Sequence, residues 1–178
     1  MKYLLTILTL SLLIACGGPK VISSELNDGM SLASYKTFDF YSSEASGDTT
    51  PGRFKENLVL IKDAIVKNMM AKGFTQTSTD PDLLINIGVV VDEKVQTRQT
   101  DFRTDAPRYM GQRNYSWKSQ EIEVGRYRMG TGSIELVDPK LNKVVWKGIV
   151  EDVLPNKASK VPKAIEESVD ALFQKLPL

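Results

Sequence analysis

Apolar and polar residues alternate along this chain in a few regular patterns, each of which predicts an element. Tyr35, Thr37 and Asp39 alternate with Lys36, Phe38 and Phe40, and their β-branched and aromatic content predicts a first strand. Residues 42–51 are loop by composition. Thr50 and Pro51 then make an N-cap and first-turn pair, since a hydroxyl accepts from an orphan amide and proline has none to satisfy. Phe54, Leu58, Ile61, Ile65 and Met69 recur every three or four residues, one buried stripe of an amphipathic helix. Gly73 is placed to stop that helix in a left-handed conformation, with Phe74 making the closing apolar contact.

After Asp80-Pro81 the period changes from helical to two. Leu83, Ile85, Ile87, Val89 and Val91 share one strand face and form the expected core, while Gly88 marks a bulge or a close backbone approach. Residues 96–120 carry no sustained apolar period and exceed an ordinary connection, so part of them is expected as hairpin. Alternation restarts at Glu121 and again over 130–138, turns at 138–143, and returns over 144–153, which reads as a long antiparallel hairpin. Val161-Pro162 opens a last helix with Ile165, Val169, Leu172 and Leu176 on one face. This order predicts an α+β fold, a two-layer sandwich of a mainly antiparallel sheet with two helices on one face.

The first apolar run is of a different kind. Lys2 precedes Leu4 to Ile14, which is shorter than the roughly 20 residues a membrane span needs, and the run ends in Leu13-Ile14-Ala15-Cys16. That arrangement resembles the bacterial lipobox, which implies cleavage before Cys16, acylation of its thiol and amine, and stable membrane attachment through several chains on one residue. The expected organisation is a signal peptide over 1–15, a lipidated tether over 16–27 and a single domain over 28–178. No second cysteine is present for a disulfide. Loss of Lys2 leaves basic and acidic side chains equal in number, so a globally basic, nucleic-acid type of surface is excluded. Histidine is absent throughout, which removes the commonest general base and metal ligand and every Ser-His or Cys-His nucleophile.

Tyr35-Lys36-Thr37-Phe38, Lys72-Gly73-Phe74 followed by Asp80-Pro81-Asp82-Leu83-Leu84, Gly130-Thr131-Gly132 leading into Ile134 to Asp138, and Val145-Trp146-Lys147-Gly148 together resemble a family. It is the bacterial lipoprotein family catalogued as domain of unknown function 4136, matched over about residues 28–176. The resemblance implies an envelope location and a fold, but no established activity and no catalytic residue. By the same resemblance the expected site is the periplasmic face of the outer membrane, since Gly17 after the cysteine is not the aspartate of inner-membrane retention.

Candidate chemistry is sparse. Glu121 and Glu123 share a strand face, and with Glu135 or Glu151 they offer a carboxylate pair for acid–base work on an envelope glycan. The competing and favoured reading is a solvated face of a half-exposed sheet. Gly130-Thr131-Gly132 leads into a strand, not a helix, and is a poor phosphate cradle. Asp138, Trp146 and Gly148 read as turn, core and bulge. The second constellation interleaves Arg98, Arg103, Arg108, Arg113, Lys118, Arg126 and Arg128 with Phe102, Tyr109, Tyr115, Trp117 and Tyr127. Arginine beside aromatics suits stacking on sugars or a protein partner. Arg103, Arg108, Tyr109, Arg113, Tyr115 and Trp117 are therefore the candidate binding loop, facing another envelope protein, an anionic glycan or a lipid headgroup. No metal, cofactor or nucleic-acid partner is expected, and a noncatalytic module is favoured over a histidine-free hydrolase.

Overall fold

The computed structural model describes residues 18–47, 51–105 and 117–177, with side chains described throughout except at 42–53. Its strands are β1 (Lys20–Leu26), β2 (Thr37–Gly47), β3 (Thr75–Gln76), β4 (Leu83–Gln99), β5 (Glu121–Asp138) and β6 (Lys143–Val153). The helices are α1 (Pro51–Ala71), the one-turn α2 (Phe102–Asp105) and α3 (Val161–Phe173). All six strands form one sheet in the order β1-β6-β5-β4-β2-β3. The antiparallel ladder of β1, β6, β5 and β4 gives way to parallel pairing of β2 with β4 and β3, because α1 carries the chain across between β2 and its neighbours.

The period-two positions of the strands and the helical stripes meet in one core. Phe38, Leu83, Ile85, Leu136 and Trp146 are fully buried against Ile65 and Met69 of α1 and Leu172 and Phe173 of α3. Each such side chain contributes roughly 1.5–3 kcal/mol. Both long helices thus cover a single face. Their C-terminal and middle portions are tied together, Lys67 to Glu166 at 2.5 Å and the Asn68 amide to Asp170 at 2.7 Å. Helix α1 ends as its sequence predicts: Gly73 has φ +90°, the Phe74 amide donates to Met69 and the Gly73 amide to Met70, and Phe74 is buried.

Three expectations change. The chain from Lys20 to Leu26, expected within the tether, is instead an edge strand on β6, because Val21, Ser24 and Leu26 pair there with Val150, Gly148 and Trp146 across a register shift between Val21 and Ser23. Ser24 accepts from the Trp146 indole at 3.1 Å and donates to the Lys175 carbonyl at 2.9 Å. Strand β2 runs on through the expected loop as far as Gly47, paired with Val91. Residues 121–138 form one continuous strand rather than two.

The third change creates an arm. Beyond the pairs Val91–Gly47 and Met129–Val153, β4 and β5 continue without flanking strands among the described residues, through Glu93–Arg128 and Val95–Arg126 to Gln99–Glu121. This two-stranded ribbon extends about 25 Å past the sheet at about 3.3 Å per residue. The Thr100 amide donates to Gln120 at 2.8 Å and the Ser119 hydroxyl to Thr100 at 2.8 Å, which ties the strands at the tip.

Candidate functional site

A cleft opens where the floor of the sheet lacks side chains. Gly130 and Gly132 occupy helix-facing positions of β5, on the same face as Ile134 and Leu136, in register with Val91 and Asp152 and with Val89 and Val150. A Cβ on Gly132 would meet only Val150 Cγ1, at 3.6 Å, so this glycine leaves space and relieves no clash. Over Gly130 the Leu154 side chain folds back, 3.0 Å from where a Cβ would stand. Phe54, Asn57 and Ile61 of α1 line one side and Val161, Ile165 and Ser168 of α3 the other, around a cavity of about 360 Å³. That size suits a small ligand. Its charged groups, Glu56, Arg128 and Asp152, belong to the lining beside this apolar body, and the Ser168 hydroxyl donates to Asp152 at 3.4 Å. No histidine lines the cleft to activate that hydroxyl as in a Ser-His nucleophile.

The arm carries the described part of the candidate loop. Phe102 and Trp117 meet edge to face across the tip, with ring centroids 5.9 Å apart. Arg98 binds Asp105 through two parallel bonds of 2.6 and 2.7 Å, and this charge-assisted pairing holds the Asp105 carboxyl far below the usual carboxylate range. Arg103 and Lys118 make no ion pair among the described residues. Arg108, Tyr109, Arg113 and Tyr115 lie outside the described residues, as does Cys16.

The carboxylates considered for hydrolysis sit on the same arm and do not converge on the cleft. Glu121 accepts from the Thr97 hydroxyl at 2.5 Å. Glu123 accepts from Arg126 at 2.6 Å, and that guanidinium lowers its pKa, opposite to what a general acid requires. Glu135 is on the sheet, paired with Lys147 at 2.8 Å. Among the described residues no cluster of three or more metal-ligating side chains exists, and no helix is long and apolar enough to cross a membrane.

The motif residues turn out to be staples of the fold. Asp138 receives the Lys140 and Leu141 amides at 2.7 and 2.9 Å, closing the turn, and the Tyr35 hydroxyl at 2.9 Å. Asp82 receives the Lys36 and Thr37 amides, and its own amide donates to the Thr37 hydroxyl, which fixes the start of β4 against β2. Gly148 is a close approach: the Trp146 ring lies over it, within 2.4 Å of where a Cβ would stand. Gly88 likewise accommodates Ser133, whose Oγ would be 2.6 Å from a Cβ. The cleft was not anticipated from sequence. Its signal was available in the glycines at 130 and 132, which stand where the period of Ile134 and Leu136 calls for large apolar residues.

A two-layer α+β sandwich with an apolar cleft and a projecting arm defines a small binding or structural module. The chain belongs to the DUF4136 family, a domain of unknown function, whose model matches residues 22–178. Among curated proteins none matches it. A DUF4136 protein from Bacteroides thetaiotaomicron has the same fold at 17% identity, with 90% of this chain and 96% of the other aligned and a TM-score of 0.51. A PDZ domain protein from Parabacteroides distasonis aligns at 16% identity and TM-score 0.52 over 88% of this chain, which spans only 36% of that longer protein. A homolog of a neuraminyllactose-binding hemagglutinin from Helicobacter pylori aligns at 11% identity and TM-score 0.52, over 81% and 84% of the two chains. At these identities the likeness is one of fold.

Proposed function

We propose that this protein is a lipid-anchored module of the bacterial cell envelope, held through acylated Cys16 at the periplasmic face of the outer membrane, and that its cleft binds a hydrophobic ligand without catalysis. The observation that carries the binding reading is the glycine floor: Gly132 leaves an inward position of β5 open beside Gly130, which Leu154 covers, and the space is walled by Phe54, Ile61, Val161 and Ile165. A core position vacated in this way ordinarily costs stability, so a cavity kept open by glycine is better explained by an occupant. The anchor reading rests on the lipobox-like residues before Cys16.

Two measurements test these readings separately. The fluorescence of N-phenyl-1-naphthylamine should rise on binding the protein, and Gly132→Leu, which fills the cleft, should abolish that rise while leaving the melting temperature equal or higher. An unchanged rise in the variant would remove the cleft as the binding site. Cys16→Ser should move the protein from the membrane to the soluble fraction; retention in the membrane would overturn lipid anchoring.

A further inference from the structure

We propose that the tip of the arm is a second hold on the bilayer that carries the anchor, with Trp117, Phe102, Arg103 and Lys118 seated among the lipid headgroups. The inference rests on the reading of Cys16 as lipidated, and its geometry follows from the sheet. Strand β1 begins at Lys20, paired with Glu151, which in turn lies opposite Thr131. Because β1 is antiparallel to β6, the chain before Lys20 points toward the end of the sheet from which the arm projects.

The lengths then decide the orientation. Cys16 to Lys20 is four residues, which span at most about 14 Å. From Thr131 to Glu121 the arm runs about 33 Å in the same direction at about 3.3 Å per residue. Turning the arm away from the bilayer would place the length of β1, about 23 Å, between Lys20 and the surface, more than the tether can bridge. The same 14 Å also falls short of the 33 Å of the arm, so a domain held at Cys16 lies with its arm inclined along the bilayer, which brings the tip to the surface.

The tip has the chemistry for that position. Phe102 is 45% exposed beside half-buried Trp117, and Val95 and Val124 stand exposed on the shaft. Amphipathic aromatic rings and cations are the groups that favour the membrane–water interface. Of the nearby carboxylates, Asp105 and Glu123 are neutralised by Arg98 and Arg126, while Asp101 and Glu121 accept from the Arg103 amide and the Thr97 hydroxyl and keep their charge. Arg103 and Lys118, which make no ion pair among the described residues, can meet phosphate.

The two tryptophans allow a direct test, because Trp146 is wholly buried in the core and Trp117 is at the tip. Full-length lipidated protein is reconstituted into vesicles of phosphatidylethanolamine and phosphatidylglycerol, with and without bromine on the acyl chains, and floated on a density gradient. The expected result is flotation with a blue shift of the Trp117 emission and loss of most of it in the brominated vesicles. In Trp117→Phe, with its fold confirmed by melting, that loss should vanish. Flotation with Trp117 insensitive to bromine and still quenched by aqueous iodide would overturn the arm contact and leave the anchor standing, pointing instead to a protein partner for the tip. Failure to float would overturn the anchor and the arm contact together.

Discussion

At the scale of single residues, the sequence features that mark the family are those that close the fold. Asp138 illustrates the energetics: the Leu141 amide, then the Tyr35 hydroxyl and the Lys140 amide, lower its pKa against the opposing effect of burial. A carboxyl depressed in the folded state stabilises fully above its unfolded value, about 3.9, and loses that contribution as pH falls through its folded value. Tyr35 has the opposite sense, raised by burial and by its bond to Asp138, so its contribution is complete below about 10 and is lost as pH rises beyond its folded value. The melting temperature should therefore fall below about pH 4, and Asp138→Asn should flatten that acid limb while lowering stability at neutral pH. An acid limb as steep in Asp138→Asn as in the parent would show that other carboxylates carry it. Gly148→Ala should be costly at any pH, because its Cβ would fall 2.4 Å from Trp146 and 2.7 Å from Leu172, both wholly buried. Overpacking of this kind costs about 1–3 kcal/mol, and thermal melts measure it directly.

At the scale of elements, helices were more legible in the sequence than strand ends. The stripe from Phe54 to Met69 and the stop at Gly73 set α1 almost to the residue, since a helical period and a left-handed glycine are local signals. Gly73→Ala should cost about 1 kcal/mol through the strained positive φ alone, as urea denaturation would register. Strand β1 was hidden because Lys20 to Leu26 mixes serines and charges and is recruited by a partner more than a hundred residues away. The arm was hidden for a related reason: a ribbon exposed on both faces needs no apolar alternation, so periodicity cannot announce it. The cleft escaped because Gly130 and Gly132 read as weak strand residues, and only the register shows that both face the helices.

At the scale of the whole molecule, body and arm are energetically separable. The shaft beyond Met129 is held by the ladder of β4 with β5 and by surface ion pairs such as Arg126 with Glu93 and Glu123, which are screened by solvent and contribute little, and it buries none of the core residues. Replacing residues 98–122 with an Asn-Gly turn should leave the melting temperature within a few degrees of the parent, a change of about 1 kcal/mol or less for a domain of this size. The same variant should keep N-phenyl-1-naphthylamine binding, since the cleft takes only Arg128 from the base of the arm and the variant retains it; loss of binding would join the two regions. Whatever the arm touches can thus change without remodelling the cleft.

The pairing of β1 with β6 also governs how the chain folds. The Trp146 indole and the Ser24 hydroxyl that receives it are 122 residues apart, and the pairs from Lys20–Glu151 to Leu26–Trp146 all join the two ends of the sequence. Contacts of such long range are slow to form because the loop they close must be ordered first. As the chain emerges from its N-terminus, the strand next to Cys16 has no partner until β6 follows, so the sheet is sealed last at the edge where the polypeptide began.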